Sequence, residues 1–392
     1  MDKYKIVYIS DFSLGEKQNG VATARSGYSG IGMALCQKLQ EMGHDVKALG
    51  IGYTGQEHGG TFSLVPCGSP RDAAGVLNNL KYMWKPDVVV VALDIHFFQE
   101  MFFPVAKKLG IKYICITPLE SEPLCMTWAN LLGQMNKVFF ISEFGTEEAK
   151  KAGVNAEHLK VGIDTNSWRL RTNEEYLSIR KTLGFEEDDF VVLTVADNQE
   201  RKNLSAGLEI ISELKRVHKV KVKHVLVTRE DSMVGWKLYD LAMRLGISSD
   251  LRVFKSGLPF MELYMLYVAS DAFLLCSKGE GLGIPVMEAM AVGIPIVANK
   301  VGAIRELLKD GRGFIVEPEY QMIDPFGNQN RYFINKFVAV QELSYISENK
   351  ENLHGVIARA REFVEQMNWN VPAEQLAKAI GEVVDEQGLP IS

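Results

Sequence analysis

The chain of 392 residues is 47% hydrophobic and 23% charged, and its formal net charge is −6. This length predicts two or three domains, each large enough to bury its own core. The acidic balance offers no broad electrostatic surface for nucleic acid, which is therefore not expected as a partner.

The sequence lacks the features of membrane and secreted proteins. No apolar run reaches the roughly 18 residues that a membrane span needs, and residues 1–10 enter a strand without a signal-peptide apolar region. The cysteines are scattered, odd in number and without a C-x-x-C pair, which is typical of buried thiols in a reducing compartment. They are Cys36, Cys67, Cys115, Cys125 and Cys276. We expect a cytoplasmic protein without a transmembrane segment, and peripheral membrane association stays open.

The first part of the chain alternates short apolar, β-branched runs with helical patterns, which predicts a parallel α/β fold. The predicted strands are residues 6–10, 45–50, 87–92, 111–116 and 138–142. The first strand-to-helix connection is long and glycine-rich, and it covers residues 20–32. Its glycines are compatible with a dinucleotide fingerprint, but residues 48–52 lack the acidic residue expected after the second strand. A nicotinamide site is therefore the weaker interpretation of this stretch.

A second α/β series follows a polar, charged stretch at residues 165–188. Its predicted strands are residues 190–195, 220–228, 251–254 and 271–276, and its predicted helices are residues 204–217, 236–245 and 260–269. Two such halves would leave a ligand cleft at the carboxyl ends of both sheets. A helical apolar pattern at residues 368–384 closes the chain. Residues 319–337, rich in Asn, Tyr and Phe, fit no motif and are interpreted as an insertion.

One stretch carries most of the functional signal: residues 277–299 read S-K-G-E-G-L-G-I-P-V-M-E-A-M-A-V-G-I-P-I-V-A-N. Glu280 and Glu288 are separated by seven residues, the first on a loop and the second one turn into a helix that begins at Pro285. Gly281 and Gly283 let backbone N–H groups approach a ligand near the positive end of the helix dipole. The pattern predicts a site for a polyol attached to a phosphate. The structural alternative is an ordinary strand-turn-helix with two exposed acids.

The stretch resembles the E-x7-E signature of retaining GT-B glycosyltransferases of family 4, in the form E-G-[FL]-G-x-P-x-x-E-A-M-A-x-G-x-P-[IV]-V-A. The resemblance implies the GT-B fold, an α/β architecture of two Rossmann-like parallel-sheet domains facing across a cleft. It implies an acceptor-side domain at residues 1–165 plus 374–392 and a nucleotide-sugar donor domain at residues 166–373. V-G-I-D at residues 161–164 is similar to the interdomain linker of that family, and the last GT-B helix returns to the first domain.

The resemblance also assigns roles to individual residues. Glu280 would hold the transferred sugar, while Lys202 and Arg201 would be the cations at the departing diphosphate. The donor-binding residues would be Glu288 for the ribose hydroxyls, Gly281, Leu282 and Gly283 for the sugar or phosphates, Gly257 and Leu258 for the base, and Ser26 and Gly27 in the first domain.

One residue departs from the family pattern. Asp197 lies five residues before Lys202, where the family usually has an arginine. Either Arg201 substitutes for that arginine, or another cation or a different donor geometry is involved. A solvated loop of charged residues is the structural alternative.

The acceptor side is less well defined. Many family members carry a histidine after the fifth strand, whereas this sequence has Glu120 and Glu122 there. Either acid would position the acceptor hydroxyl, and the alternative is an acid that caps the helix before Trp128. His96, just past another strand, is a candidate proton acceptor or a core histidine.

These implications predict a hexosyltransferase that moves a hexose from a nucleotide diphosphate sugar, UDP- or GDP-linked, to an acceptor hydroxyl on a glycan or other compound. No D-x-D follows an apolar run and no cluster has metal-ligand spacing, so neither a metal nor another cofactor is expected, with Asp197 as the reservation. Two other classes fit the same pattern. One is a sugar phosphorylase or nucleotide-sugar epimerase on this fold, and the other is a non-catalytic nucleotide-sugar or glycan-binding protein.

Overall fold

The computed structural model describes residues 2–18, 21–24, 26–230 and 232–385. Gly20 and Arg25 of the predicted glycine-rich connection lie outside these ranges. The chain divides into two compact units, Met1–Gly162 with Met367–Ser392, and Ile163–Gln366. The sequence placed the two divisions at residues 165/166 and 373/374.

A parallel sheet forms the centre of the first unit. The strands of this unit are β1 (Lys5–Asp11), β2 (Leu14–Gln18), β3 (Val21–Ala24), β4 (Asp45–Ile51), β5 (Ser63–Cys67), β6 (Val88–Ala92), β7 (Lys112–Thr117), β8 (Lys137–Phe140) and β9 (Ala156–His158). Over the described residues, seven of them pair in the order β5-β4-β1-β6-β7-β8-β9, and β2 and β3 form a separate antiparallel pair. The central strand β6 is V-V-V-V-A and fully buried, as expected for a strand covered on both faces.

The sheet has two edge strands that the sequence pattern did not predict. β5 contains Pro66 and is partly exposed, and β9 is only three residues long. Neither forms a continuous apolar run, because an edge strand is buried less than a central one.

Helices connect the strands of the first unit. They are α1 (Gly27–Glu41), α2 (Pro70–Met83), α3 (Glu100–Leu109), α4 (Met126–Leu132) and α5 (Glu143–Lys151). Ser26 begins α1 as its N-cap, because the Ser26 Oγ accepts a hydrogen bond from the backbone N–H of Ser29 at 3.1 Å.

The second unit repeats this architecture around a smaller sheet. Its strands are β10 (Phe190–Val195), β11 (Val222–Thr228), β12 (Leu251–Lys255), β13 (Ala272–Leu275), β14 (Ile296–Asn299), β15 (Phe314–Val316), β16 (Pro318–Ile323) and β17 (Asn330–Ile334). Within the described ranges, six of these strands form a parallel sheet in the order β12-β11-β10-β13-β14-β15. The chain builds outwards from β10 to β12 and then starts again at β13, so the order reverses between β10 and β13. Ligands of open α/β sheets bind at such a point.

The helices of the second unit pack on both faces of its sheet. They are α6 (Asn173–Thr182), α7 (Leu204–His218), α8 (Leu238–Arg244), α9 (Phe260–Val268), α10 (Ile284–Val292), α11 (Ile304–Leu308), α12 (Lys336–Glu348) and α13 (His354–Glu365). Most of the segment that the sequence treated as an insertion is the antiparallel pair β16 and β17, here called the hairpin.

The last helix, α14 (Asn370–Asp385), belongs to the first unit. Leu376 and Ile380 on it are fully buried, and the Gln375 side chain donates a hydrogen bond to the carbonyl of His158 at 2.8 Å. No helix in the described part of the chain combines the length and apolar character that a bilayer crossing requires.

Candidate functional site

Two connections lie at the reversal point of the second sheet. One is a turn of 3-10 helix, Glu200–Lys202, which follows β10 and is here called the basic turn. The other is the glycine loop, residues 277–283, which follows β13 and leads into α10. Because β10 and β13 are paired neighbours, their carboxyl ends bring the two connections together. The backbone N–H of Lys278 donates to the carbonyl of Arg201 at 2.8 Å, so the connections are directly bonded.

Glu280, the acid of the glycine loop, is buried, with 6% of its surface exposed. Its carboxylate accepts hydrogen bonds from Lys202 Nζ at 2.5 Å and Ser277 Oγ at 2.8 Å, and Arg201 Nη1 lies 3.7 Å away. Burial acts to raise the pKa of Glu280, but Lys202, Arg201 and the hydrogen bonds outweigh it, so the net pKa is lowered. The acid is therefore ionised and held between cations.

The backbone at the N-terminus of α10 allows a ligand to approach its N–H groups closely. Gly283 has φ of 90°, and a Cβ at this position would lie 2.7 Å from Ile304 Cδ1, so only glycine fits. Ile284 is the first helical residue and Pro285 the second, so the helix begins one residue earlier than the sequence indicated. Among the described residues, the backbone N–H groups of Gly281 and Leu282 donate no hydrogen bond within the chain. These amides lie beside the positive end of the helix dipole.

Glu288 lies on α10 and has a different environment from Glu280. Its carboxylate accepts a hydrogen bond from the buried Tyr267 Oη at 2.6 Å. Burial raises the pKa of Glu288 to about 7, and the Tyr267 hydrogen bond only partly opposes this rise. At neutral pH this acid is therefore close to half protonated.

Asp197, the departure from the family pattern, is paired with a cation that the sequence reasoning missed. Arg229 donates from Nε and Nη2 to the two oxygens of Asp197, at 2.5 and 2.6 Å. Arg229 directly follows β11, which pairs with β10 in parallel register, so the pair lies at the same edge as the basic turn. Its position directly after a buried apolar strand is the sequence signal that could have identified it.

The remaining donor candidates of the second unit lie farther along the sheet edge. Gly257 and Leu258 follow β12, the outermost strand, which is separated from β10 by β11. Gly257 has φ of 87°, which the turn after this strand requires. The structure thus brings Glu280, Lys202 and Arg201 into contact, whereas Gly257 and Leu258 share only the sheet edge with them.

Ser26 and Gly27 open α1 of the first unit, directly beside Tyr28. The Tyr28 hydroxyl donates to the carboxylate of Asp94 at 2.5 Å, and Asp94 follows β6. Because β1 and β6 are paired, these residues lie at the reversal point of the first sheet. The Tyr28–Asp94 contact was not predicted from the sequence.

The acceptor candidates are half-buried and follow neighbouring strands β6 and β7. The His96 ring lies 6.1 Å from that of Trp128, and Glu120 and Glu122 lie on the loop before α4. The N-cap residue of α4 is Cys125, not Glu120 or Glu122, and the Cys125 side chain makes no capping bond. In the described ranges, no group of three His, Cys, Asp or Glu side chains is placed to hold a metal ion.

Part of the chain is similar in sequence to known glycosyltransferases. Residues 176–324 match the family model described as Glycosyl transferases group 1. The chain is 27% identical to an uncharacterized glycosyltransferase of Methanocaldococcus jannaschii over 147 residues, which are 37% of the chain and 36% of the relative. It is 24% identical to a GDP-mannose-dependent monoacylated alpha-(1-6)-phosphatidylinositol monomannoside mannosyltransferase of Corynebacterium glutamicum over 200 residues, 47% of the chain and 49% of the relative. The matches span less than half the length of either relative.

The whole fold also resembles solved structures. The Anabaena protein HepE, crystallised with UDP and glucose, superposes with a TM-score of 0.71 at 16% identity, covering 97% of this chain and 100% of that one. At this identity the likeness concerns the fold alone. It confirms the predicted fold class of two Rossmann-like parallel-sheet domains.

Proposed function

We propose that the chain is a glycosyltransferase that moves a hexose from a nucleotide diphosphate sugar to an acceptor hydroxyl and retains the anomeric configuration, because residues 176–324 match the family model of the glycosyl transferases group 1. The observation that carries the proposal is the buried Glu280 carboxylate, bonded to Lys202 and Ser277 beside the N-terminus of α10. A carboxylate able to accept hydrogen bonds from sugar hydroxyls is thus in contact with a cation able to bind a phosphate.

The chemistry needs stabilisation of charge at the departing group. As the bond from the anomeric carbon to the diphosphate oxygen breaks, negative charge grows on the diphosphate. Lys202, Arg201 and the unused N–H groups of Gly281 and Leu282 provide fixed positive charge and dipoles for it. The acceptor oxygen forms the new bond on the same face, and its proton passes to the departing phosphate. Glu280 holds hydroxyl groups of the sugar in this scheme.

We propose UDP or GDP as the nucleotide, because solved HepE contains UDP and glucose and the Corynebacterium relative is named as GDP-mannose-dependent.

We propose no metal requirement, since both oxygens of Asp197, the acid that raised the reservation, are bonded to Arg229. A cytoplasmic location is proposed because all five cysteines are free thiols and four are buried.

The proposal is tested by a thermal-shift screen against UDP-, GDP-, ADP- and dTDP-sugars, followed by product analysis with EDTA present. One nucleotide series should raise the melting temperature, since ligand at 100 times its Kd stabilises by about 2.7 kcal/mol. Turnover of that donor should continue in EDTA and give the retained anomer. Failure of every donor to stabilise the protein, or an inverted product, would contradict the proposal.

The raised pKa of Glu288 gives a pH-dependent prediction for nucleotide binding. If the ionised carboxylate accepts the ribose hydroxyls, binding favours the deprotonated form, so affinity increases as pH rises to about 7 and then levels off. Between pH 6 and 8, the Kd for a nucleoside diphosphate should fall by up to about tenfold more in the wild type than in Glu288→Gln. Calorimetry in the two proteins measures this, because titration of the nucleotide phosphate is common to both. Parallel profiles would remove the assigned role of Glu288.

A further inference from the structure

The hairpin is bonded to the glycine loop through its second strand. The backbone N–H of Tyr332 donates to the carbonyl of Lys278 at 3.0 Å. Asn299, buried at the end of β14, donates from Nδ2 to the carbonyls of Tyr332 and Ser277, at 2.8 and 2.9 Å. Ile334 anchors the end of the hairpin in the core of the second unit. The hairpin is therefore fixed at one end and attached to the loop that carries Glu280.

Lys278 is the residue where the hairpin, the glycine loop and the basic turn meet. It is 5% exposed, its Nζ lies 4.4 Å from the centre of the Phe333 ring, and it forms an ion pair with Glu200. A buried ammonium is costly unless it is paired, and the carboxylate and the ring face both stabilise it here. Its backbone N–H is also bonded to Arg201.

Two ion pairs therefore link the glycine loop to the basic turn. Lys278 of the loop pairs with Glu200 of the turn, and Lys202 of the turn pairs with Glu280 of the loop. In each connection the two charged residues are two positions apart, so the pairs fix the register of the loop against the turn. The hairpin covers the first pair with Phe333, and the second pair is the candidate site.

We propose that the hairpin is a brace for the site, acting through Lys278 and Asn299 as positioning residues. It holds the glycine loop and the basic turn in the register that places Glu280 against Lys202. The catalytic consequence of this register rests on the proposed function, whereas the brace itself concerns only the two connections. The segment that matched no motif in the sequence thereby acquires a role at the donor site.

Two variants test the brace with little loss of packing. Lys278→Met keeps a long side chain over Phe333 and removes the ammonium, and Phe333→Leu removes only the ring. Lys300→Met is the control. It breaks the exposed ion pair between Lys300 and Glu317, and Lys300 directly follows Asn299 at the end of β14. Lys278→Arg keeps the charge and should restore most of the lost behaviour.

The first measurement is amide hydrogen exchange, which needs no substrate. In both variants, exchange of residues 277–283 and 200–203 should become at least about fivefold faster, with α12 unchanged. The second is steady-state transfer: kcat should fall by about tenfold while Kd for the nucleoside diphosphate stays within about threefold. A general loss of stability would affect kcat and nucleotide affinity equally, and Lys278→Arg would not reverse it.

The outcomes separate the two proposals. Unchanged exchange in Phe333→Leu, or faster exchange with unchanged kcat, would overturn the brace. A wild-type protein that uses no nucleotide sugar would refute the proposed function, and faster exchange in the two variants would still support the brace.

Discussion

Replacing Glu280 by glutamine should nearly abolish transfer while leaving nucleotide binding intact. Glutamine keeps the shape of the side chain but loses the negative charge that Lys202 and Ser277 stabilise, and its amide cannot hold the sugar hydroxyls in the same way. We expect kcat to fall by about 100- to 1000-fold, comparable to removing a preorganised charge or donor from an active site. The Kd for the nucleoside diphosphate, which lacks the sugar, should change by less than about threefold.

Single-turnover kinetics and calorimetry measure these two quantities. Glu280→Ala should behave similarly, with an added stability cost from the lost packing and hydrogen bonds. Glu213→Gln is the matched control, because Glu213 pairs with Arg216 on the exposed face of α7 and such pairs contribute little. If Glu280→Gln retained more than a tenth of wild-type transfer, the role assigned to Glu280 would be wrong.

The second large effect is expected at Lys202. Lys202→Met removes the cation closest to Glu280 and leaves only the more distant Arg201 beside this buried acid. The pKa of Glu280 should therefore rise, because the effect of burial is offset less. Both kcat and diphosphate affinity should fall, with kcat/KM lower by about 1000-fold. This differs from Glu280→Gln, which affects transfer alone. Lys202→Arg should recover part of the loss.

Arg229→Met provides a graded comparison for Lys202→Met. Arg229 is half exposed and already neutralised by Asp197, so its loss should lower diphosphate affinity by no more than about tenfold. Equal effects of the two substitutions would show that the cation of the site is not localised at Lys202. Because Lys202 and Glu280 are in direct contact, the double variant Glu280→Gln with Lys202→Met should lose less than the sum of the single losses.

The parts of the fold that could be predicted are those specified by local patterns. The run of residues 277–299 contains its own strand end, turn and helix start, so its shape follows from nearby residues. Lys202 could be placed because it follows a buried strand and precedes an apolar helical pattern. The edge strands β5 and β9 lacked such a pattern because they are half exposed.

Contacts between distant segments could not be predicted in this way. Arg229 reaches Asp197 only because β11 and β10 are neighbours, and a single sequence does not specify the strand order. The hairpin did leave a local sequence signal, the dipeptide Gly327-Asn328 between two short strands. In the structure both residues have positive φ, 68° and 53°. Such a pair is typical of a tight β-turn. Its attachment to Lys278, however, depends on tertiary contacts alone.

The two ion pairs between the glycine loop and the basic turn have a consequence for how such proteins change over time. Lys278 and Glu280 are both nearly inaccessible to water, so loss of Glu200 or of Lys202 would leave a buried charge without its closest partner. Glu200 with Lys278, and Lys202 with Glu280, should therefore vary together among close relatives. A chimera designed to carry a new sugar preference would have to take the basic turn and the glycine loop from the same parent.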